Sequence, residues 1–354
     1  MSEHKFAYKW NLKDGYPAPG IKYHGKKVFG TFICGGGSTM GYKLAGFEHL
    51  GGVEIDPPIA DVYKENHKPK YLFVEDIRAF NDRSDLPKEF YDLDILDGSP
   101  PCSTFSMAGS REKAWGKEKH FREGQAVQVL DDLVFVYCDT IIKLMPKVFI
   151  LENVKGIIQG NAKAYSREIV RKMTAAGYKV QVFLLNAASM GVPQKRERVF
   201  FIGHRKELNL PDLKLRFEEK AIPFGIARKD AEKNGNKDWI QLTNFQLEIW
   251  NKAKQGETFD KYNNGNGFND YKANDKDIHP TLSAQQHKYY HSTEPRHLYK
   301  SEFCAVGSYP QDFDFKNVKY GYLIGMSVPP VMTAQIAHQI YLQWLSKITT
   351  KHIV

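Results

Sequence analysis

The sequence contains no apolar run approaching the roughly 20 residues that a membrane-spanning helix needs. Its start, MSEHKFAYKWNLKDG, has no apolar core of the kind a secretory signal carries. Cysteine is scarce: four in 354 residues, at Cys34, Cys102, Cys138 and Cys304. That excludes a disulfide framework, and the absence of any CxxC pair argues against a zinc site. Reduced thiols in a cytosolic setting are expected. No internal repeat occurs. With 42% hydrophobic and 26% charged residues the chain is not a disordered polyelectrolyte, and its length suggests about two domains.

Acid is what the middle of the chain lacks. Residues 101–205 carry 17 basic and 9 acidic side chains, whereas residues 1–100 carry 13 and 15. The overall excess of 50 Lys and Arg over 41 Asp and Glu is therefore concentrated in one stretch, as expected of a face meeting an anionic partner.

From residue 27 short apolar runs alternate with helix-like segments. Val28–Ile33, Val53–Ile55, Tyr71–Val74, Leu93–Leu96, Val148–Leu151, Val180–Leu185 and Val199–Ile202 read as strands. Helices are expected from the glycine turn to Ala45, from Pro57 and Pro58, over Gly124–Leu144, over Ser166–Ala176 and over Val331–Leu345. This cadence predicts an α/β fold with a mostly parallel sheet covered by helices on both faces. Residues 206–276 show no clean period and carry three Asn-Gly turns, which predicts a smaller irregular domain. The expected division is an extension at 1–26, a catalytic domain at 27–205, a small domain at 206–317 whose variable part is 206–276, and a C-terminal helical segment at 318–354 that completes the catalytic domain.

Thr31-Phe32-Ile33-Cys34-Gly35-Gly36-Gly37 follows a strand and opens a helix, a turn that lets backbone N–H groups approach a polar cofactor group. A glycine turn alone is equally a tight strand-to-helix connection, and GxGxxG is not matched cleanly. Glu54 and Asp76 end the next two strands, where a carboxylate either binds ribose hydroxyls and an adenine amino group or is a solvated strand end. Gly98-Ser99-Pro100-Pro101-Cys102 then places a thiol on a proline-stiffened loop at the mouth of the same crevice. Cys138 and Cys304 fit the ordinary reading of a cysteine as a small buried hydrophobe. Cys102 does not, because the positive run Arg111, Lys113, Lys117, Lys119 and Arg122 that follows it favours thiolate.

At these residues the sequence resembles the DNA (cytosine-5)-methyltransferase family, and the match runs in order. Gly98–Cys102 is similar to the Pro-Pro-Cys nucleophile loop, Leu151-Glu152-Asn153-Val154 to the Glu-Asn-Val motif, and Gln194-Lys195-Arg196-Glu197-Arg198 to Gln-x-Arg-x-Arg. Pro295-Arg296-His297-Leu298 with Gly307-Ser308-Tyr309-Pro310 resembles the segment after the target recognition region, and Gly325-Met326-Ser327-Val328-Pro329-Pro330 the last motif. The chain departs from the family at Gly30, Cys34, Ser103 and Met326, which stand where aspartate, glycine, glutamine and asparagine are usual.

The resemblance implies a class I methyltransferase, Rossmann-like α/β fold. It also implies methyl transfer from S-adenosylmethionine, leaving S-adenosylhomocysteine, to C5 of a flipped-out cytosine in a specific duplex DNA sequence. By the motif match Cys102 adds to C6, Glu152 donates a proton toward N3, and Arg198, supported by Arg196, steadies charge at O2. The donor would be held by Phe32, Gly35, Gly36, Gly37, Glu54, Ile55, Asp76, Ile77, Pro100, Ser327 and Val328. Ser103, Ser106, Asn153, Gln194 and Arg296 would meet the substrate, with Asn153 orienting the loop through hydrogen bonds. Residues 206–276 occupy the place of the region that reads base edges, where Lys229, Asn234, Lys237, Gln241, Asn244 and Gln246 are candidates and solvated surface is the default. His279–Leu282 and Lys288–His291 could touch the DNA backbone, although Tyr289 and Tyr290 read as packing residues. The expected partners are double-stranded DNA and a cognate restriction endonuclease, without metal or membrane. The expected state is a cytoplasmic, nucleoid-associated monomer. Three other readings are transfer to cytosine in tRNA, an inactive DNA-binding homologue, and an NAD-type oxidoreductase. The size of the 206–276 insert, the intact Cys102, Glu152 and Arg198, and the imperfect glycine fingerprint weigh against them in turn.

Overall fold

The computed structural model describes residues 4–101, 132–231, 241–267 and 269–348. In chain order the strands are β1 (Lys27–Thr31), β2 (Glu48–Glu54), β3 (Tyr71–Val74), β4 (Ile95–Gly98), β5 (Val148–Val154), β6 (Tyr178–Asn186), β7 (Gln194–Lys195), β8 (Glu197–Arg205), β9 (Tyr271–Lys272), β10 (His279–Pro280) and β11 (Tyr289–Tyr290). The helices are α1 (Gly37–Leu44), α2 (Pro57–His67), α3 (Ile77–Asp82), α4 (Leu133–Leu144), α5 (Lys163–Ala175), α6 (Phe224–Ala227), α7 (Asn244–Lys252), α8 (Lys300–Gly307), α9 (Tyr320–Met326) and α10 (Pro330–Gln343). The chain forms two compact units. The larger comprises Pro17–Leu185, Glu197–Arg216 and Ile336–Val354; the smaller comprises Met1–Tyr16, Asn186–Arg196 and Phe217–Gln335.

The larger unit is built on a seven-stranded sheet in the order β3-β2-β1-β4-β5-β8-β6. The pairs from β3 to β5 are parallel and β8 runs antiparallel to β5, which is the mostly parallel α/β sheet expected. Strand order reverses between β1 and β4, and such a switch point opens a ligand crevice beyond the carboxyl ends of the strands. One core cluster joins the strands to α3, α4 and α5, with Phe29, Leu96, Phe149 and Phe201 packed among Phe80, Tyr137, Ile141 and Met173. Cys138 lies inside it, and burial pushes its thiol up to about 12, so it acts as an inert hydrophobe.

Two strands run differently from their sequence reading. β2 starts at Glu48 rather than Val53, because His49, Gly51 and Gly52 hide its apolar alternation. Gly52 has no room for a side chain: a Cβ there would lie 2.6 Å from the Gly30 carbonyl oxygen on β1. β4 is displaced to Ile95–Gly98 because Asp97 and Gly98, which read as a turn, still pair with Gly30 and Thr31 of β1. Of the helix expected over Gly124–Leu144, residues 124–131 lie outside the described residues.

The smaller unit is irregular, as its composition suggests. Among its described residues 217–276 contribute only α6, α7 and the two-residue β9 as regular elements outside single-turn helices. A local core gathers Ile249, Trp250, Ala253, Phe259 and Tyr290. A buried lysine closes it. The Lys272 ammonium donates to the Trp250 and Ala253 carbonyls at 2.9 Å and lies 3.6 Å from the Trp250 ring centroid, so a cation caps the C-terminal end of α7. The N-terminal residues also find places. Trp10 donates to the Ser308 carbonyl in the smaller unit at 3.0 Å, and His24 stacks on Tyr341 in the larger, centroids 3.8 Å apart. Among the described residues no helix is long and apolar enough to cross a membrane.

A Cβ at Gly98 would collide with the Tyr137 ring and approach Thr31 Oγ1 to 2.6 Å. Gly98→Ala should therefore cost about 1–3 kcal/mol of stability through overpacking, read as a lower urea midpoint.

Candidate active site

The turn after β1 is held in a conformation that few side chains adopt. Phe32, Cys34 and Gly36 all have positive φ, at 55°, 47° and 84°. For the two non-glycine residues this is strained backbone of the kind found at ligand sites. Cys34 stands where the family usually has glycine, and its left-handed backbone shows what that glycine is for. The strain is balanced from β2: Glu54 Oε2 accepts the Cys34 N–H at 2.9 Å, while Oε1 accepts the Asp56 N–H at 3.0 Å. Burial raises the Glu54 carboxyl above its ordinary range and these N–H donors lower it again.

α2 supports the same turn from behind. His67 Nε2 hydrogen-bonds the Gly35 carbonyl at 3.1 Å, and Lys43 of α1 donates to the His67 carbonyl at 3.1 Å. A Cβ on Gly36 would run into the His67 imidazole, so glycine is required there for space as well as for φ. Phe32 is half-buried with its ring edge-on to Tyr137, centroids 6.4 Å apart. Asp76 caps α3 by accepting from the Arg78 N–H at 2.8 Å and is one-third exposed. Ile55 is half-buried and Ile77 is in the core. The expected donor residues Phe32, Gly35, Gly36, Gly37, Glu54, Ile55, Asp76 and Ile77 thus line the ends of β1, β2 and β3, and Pro100 follows β4.

The motif residues expected to carry the chemistry, Glu152 and Arg198, lie on β5 and β8. β5 and β8 pair with Val154 opposite Arg198 and Glu152 opposite Phe200. Glu152 and Arg198 are diagonal neighbours on one sheet face. They form an ion pair, Arg198 Nε to Glu152 Oε1 at 3.0 Å, with both side chains about 14% exposed. Arg198 also donates to the Glu197 carbonyl at 2.8 Å. Asn153 is buried; its Oδ1 accepts the Val154 N–H and its Nδ2 donates to the Pro100 carbonyl at 3.4 Å. It therefore ties β5 to the start of the Pro-Pro-Cys loop, an orienting task. Cys102, Ser103 and Ser106 lie outside the described residues, as does the basic run 111–122.

Other expected site residues lie in the smaller unit. Arg196 is almost fully buried in the smaller unit, where it donates to the Leu282 carbonyl at 3.0 Å and the Gly325 carbonyl at 2.9 Å. Gln194 accepts the Leu282 N–H at 3.0 Å and donates to the Val306 carbonyl at 3.3 Å. Together they stitch β7 to β10 and α9. Arg296 is buried against Glu302, with bonds of 2.8 and 3.0 Å, and stacks over Tyr299. Ser327 Oγ donates to the Leu323 carbonyl at 2.7 Å and accepts from Tyr309, and Val328 is buried in the same unit. These five serve the interior of the smaller unit.

The charge of residues 101–205 is partly neutralised. Lys147 pairs with Asp92 and Asp94, Lys179 with Asp212, and Lys155 with Glu197. Gln246, read as a DNA-reading candidate, completes a capping box with Thr243 and reaches Tyr290 at 3.2 Å. Asn234 and Lys237 lie outside the described residues. Tyr289 and Tyr290 are buried, as packing residues should be. Sequence reasoning missed His67 and Asp97, which support the glycine turn from α2 and β4.

Residues 27–342 match the C-5 cytosine-specific DNA methylase family. The chain belongs to that family. Type II methyltransferase M.FnuDI of Fusobacterium nucleatum is 35% identical over 58% of the chain, which spans 53% of that protein's length. Type II methyltransferase M1.HphI of Haemophilus parahaemolyticus is 28% identical over 87% of the chain and 85% of its own length. The fold matches a crystal structure from an E. coli prophage, described as a DNA modification methyltransferase. The TM-score is 0.70 at 19% identity, covering 91% of this chain and all of that one.

Arg196 and Arg198 should separate on substitution. Arg196→Ala leaves buried carbonyls without a donor and should cost about 3 kcal/mol of stability, whereas Arg198→Ala should remain folded. Urea unfolding of both variants reads the difference.

Burial holds His67 down to about 3, from 6.5. The folded chain keeps it neutral while the unfolded chain protonates below 6.5. The stability it contributes is complete above that pH and lost as pH falls toward 3. The unfolding midpoint of the wild type should thus drop more steeply between pH 7 and pH 5 than that of His67→Gln.

Proposed function

We propose that the protein transfers a methyl group from S-adenosylmethionine to C5 of cytosine in double-stranded DNA. The observation that carries this reading is the Glu152–Arg198 pair at 3.0 Å, tied through Asn153 to the entry of the Pro-Pro-Cys loop in a chain of this family.

The residues after β1, β2 and β3 fit the donor. The strained 32–36 turn is cradled where a Cβ cannot enter. Glu54 is oriented by the N–H groups of Cys34, Ile55 and Asp56, which leaves acceptor capacity for a ribose hydroxyl. When bound, S-adenosylmethionine supplies an electrophilic methyl group.

The remaining chemistry belongs to the protein. C5 of cytosine is too weak a nucleophile to be methylated directly. The Cys102 thiolate forms a bond to C6, and the ring electrons shift toward C5, which is then nucleophilic. A proton placed at N3 by Glu152 relieves the charge that builds on the ring, and Arg198 steadies O2. After C5 is methylated its proton passes to water, N3 returns its proton to Glu152, and the Cys102–C6 bond breaks to give back the thiolate and the aromatic ring. C5 is out of reach inside a duplex, so the base must be flipped out first. Residues 206–317 are assigned to reading the target sequence, and the cytoplasm is the setting in which type II relatives and a cognate restriction endonuclease would act together.

The test is transfer of radiolabel from methyl-labelled S-adenosylmethionine to mixed-sequence duplex DNA, with tRNA as the competing acceptor. Label should enter DNA, Cys102→Ala should abolish transfer, and Glu152→Gln should lower the rate by about 10²–10⁴. Label in tRNA alone, or full activity in Cys102→Ala, would overturn the reading.

A further inference from the structure

Asp97 is a carboxylate that the proposed mechanism does not use, buried at the C-terminal end of β4 one residue before Gly98. The sequence reads it as part of a turn, but the structure makes it a junction. Tyr42 of α1, itself fully buried, donates its hydroxyl to Asp97 Oδ1 at 3.0 Å. Ser38, one helical turn earlier on α1, is a second hydrogen-bond donor to the same carboxylate. Thr31 Oγ1 on β1 donates to the Asp97 carbonyl at 3.2 Å. Since α1 begins at Gly37, its first two turns are pinned through Asp97 to the strand that leads into the Pro-Pro-Cys loop.

Asp97 also shares a sheet face with the proposed proton donor. On neighbouring parallel strands Asp97 pairs with Ile150. Partners in register point the same way, and so does Glu152, two residues further along β5. Strand spacing and rise put the two Cα atoms about 8 Å apart. Two carboxylates on one face of a buried sheet each oppose the other's ionisation. Among the described residues the groups that face Asp97 are hydroxyls rather than cations: Ser38 and Tyr42 from α1, Thr31 from β1, Tyr63 from α2 and Tyr137 from α4. Arg198 on β8 pairs with Glu152 and pulls it the other way, toward the ionised form.

We propose that Asp97 is a positioning residue for methyl transfer: through Ser38 and Tyr42 it locks the donor turn onto the base of the nucleophile loop. The inference rests on the function proposed above. Burial and the Glu152 charge push the Asp97 carboxyl up to about 7, against the hydrogen bonds from Tyr42 and Ser38.

Substitution tests the clamp: Tyr42→Phe removes it, whereas Asp97→Asn keeps the size and an oxygen acceptor for Tyr42. Donor binding is measured by calorimetry with S-adenosylmethionine and no DNA, after thermal melts establish that each variant folds. Tyr42→Phe should weaken donor binding about fivefold or more, while Asp97→Asn should bind donor within twofold of wild type. Wild-type donor affinity in Tyr42→Phe, or a fivefold loss in Asp97→Asn, would overturn the proposal. If the wild type binds donor but labels no DNA, it is the proposed function that fails, while the donor-binding comparison still decides the clamp.

Discussion

The antiparallel pairing of β8 with β5 is the constraint on which the site depends. It sets Arg198 diagonally across from Glu152 on one sheet face, and a slip of one residue would turn Arg198 to the opposite face. The resulting ion pair has two opposed effects. It fixes both side chains at the strand ends, yet it favours the ionised form of a carboxyl whose proposed task is to give up a proton.

The glycine turn shows a similar opposition. Phe32 and Cys34 are held at positive φ, which costs of order 1–3 kcal/mol each. Glu54 and His67 hold the turn at both ends. Buried carboxylate, buried imidazole and strained backbone are each unfavourable alone; together they satisfy one another's hydrogen bonds. The arrangement is rigid before any ligand arrives, so little ordering entropy remains to be lost on binding.

Much of this was legible in the sequence. The apolar runs placed all the strands of the main sheet, because period-2 and continuous apolar patterns survive wherever strands face a core. Glu152 and Arg198 were identified by their motifs and are in contact. What remained hidden has specific causes. The start of β2 is masked by glycines chosen for backbone approach, and Asp97 looks like a turn residue because its partners, Tyr42 and Ser38, are more than fifty residues away. Arg196 and Arg198 look alike in Gln-Lys-Arg-Glu-Arg. Only the chain path tells them apart, since the passage from one unit to the other falls between Arg196 and Glu197.

That passage bears on how such proteins can exchange parts. A recombination event that replaced the stretch 217–335 to bring in a new reading surface would also replace Leu282 and Gly325, the carbonyls that Arg196 holds. The transplant would then rely on an arginine encoded more than eighty residues upstream. Residues 186–196 would either have to travel with the exchanged segment or meet backbone acceptors in the same places. The pentapeptide is thus a splice point as well as a motif, with its first arginine belonging to the exchangeable part and its second to the part that stays.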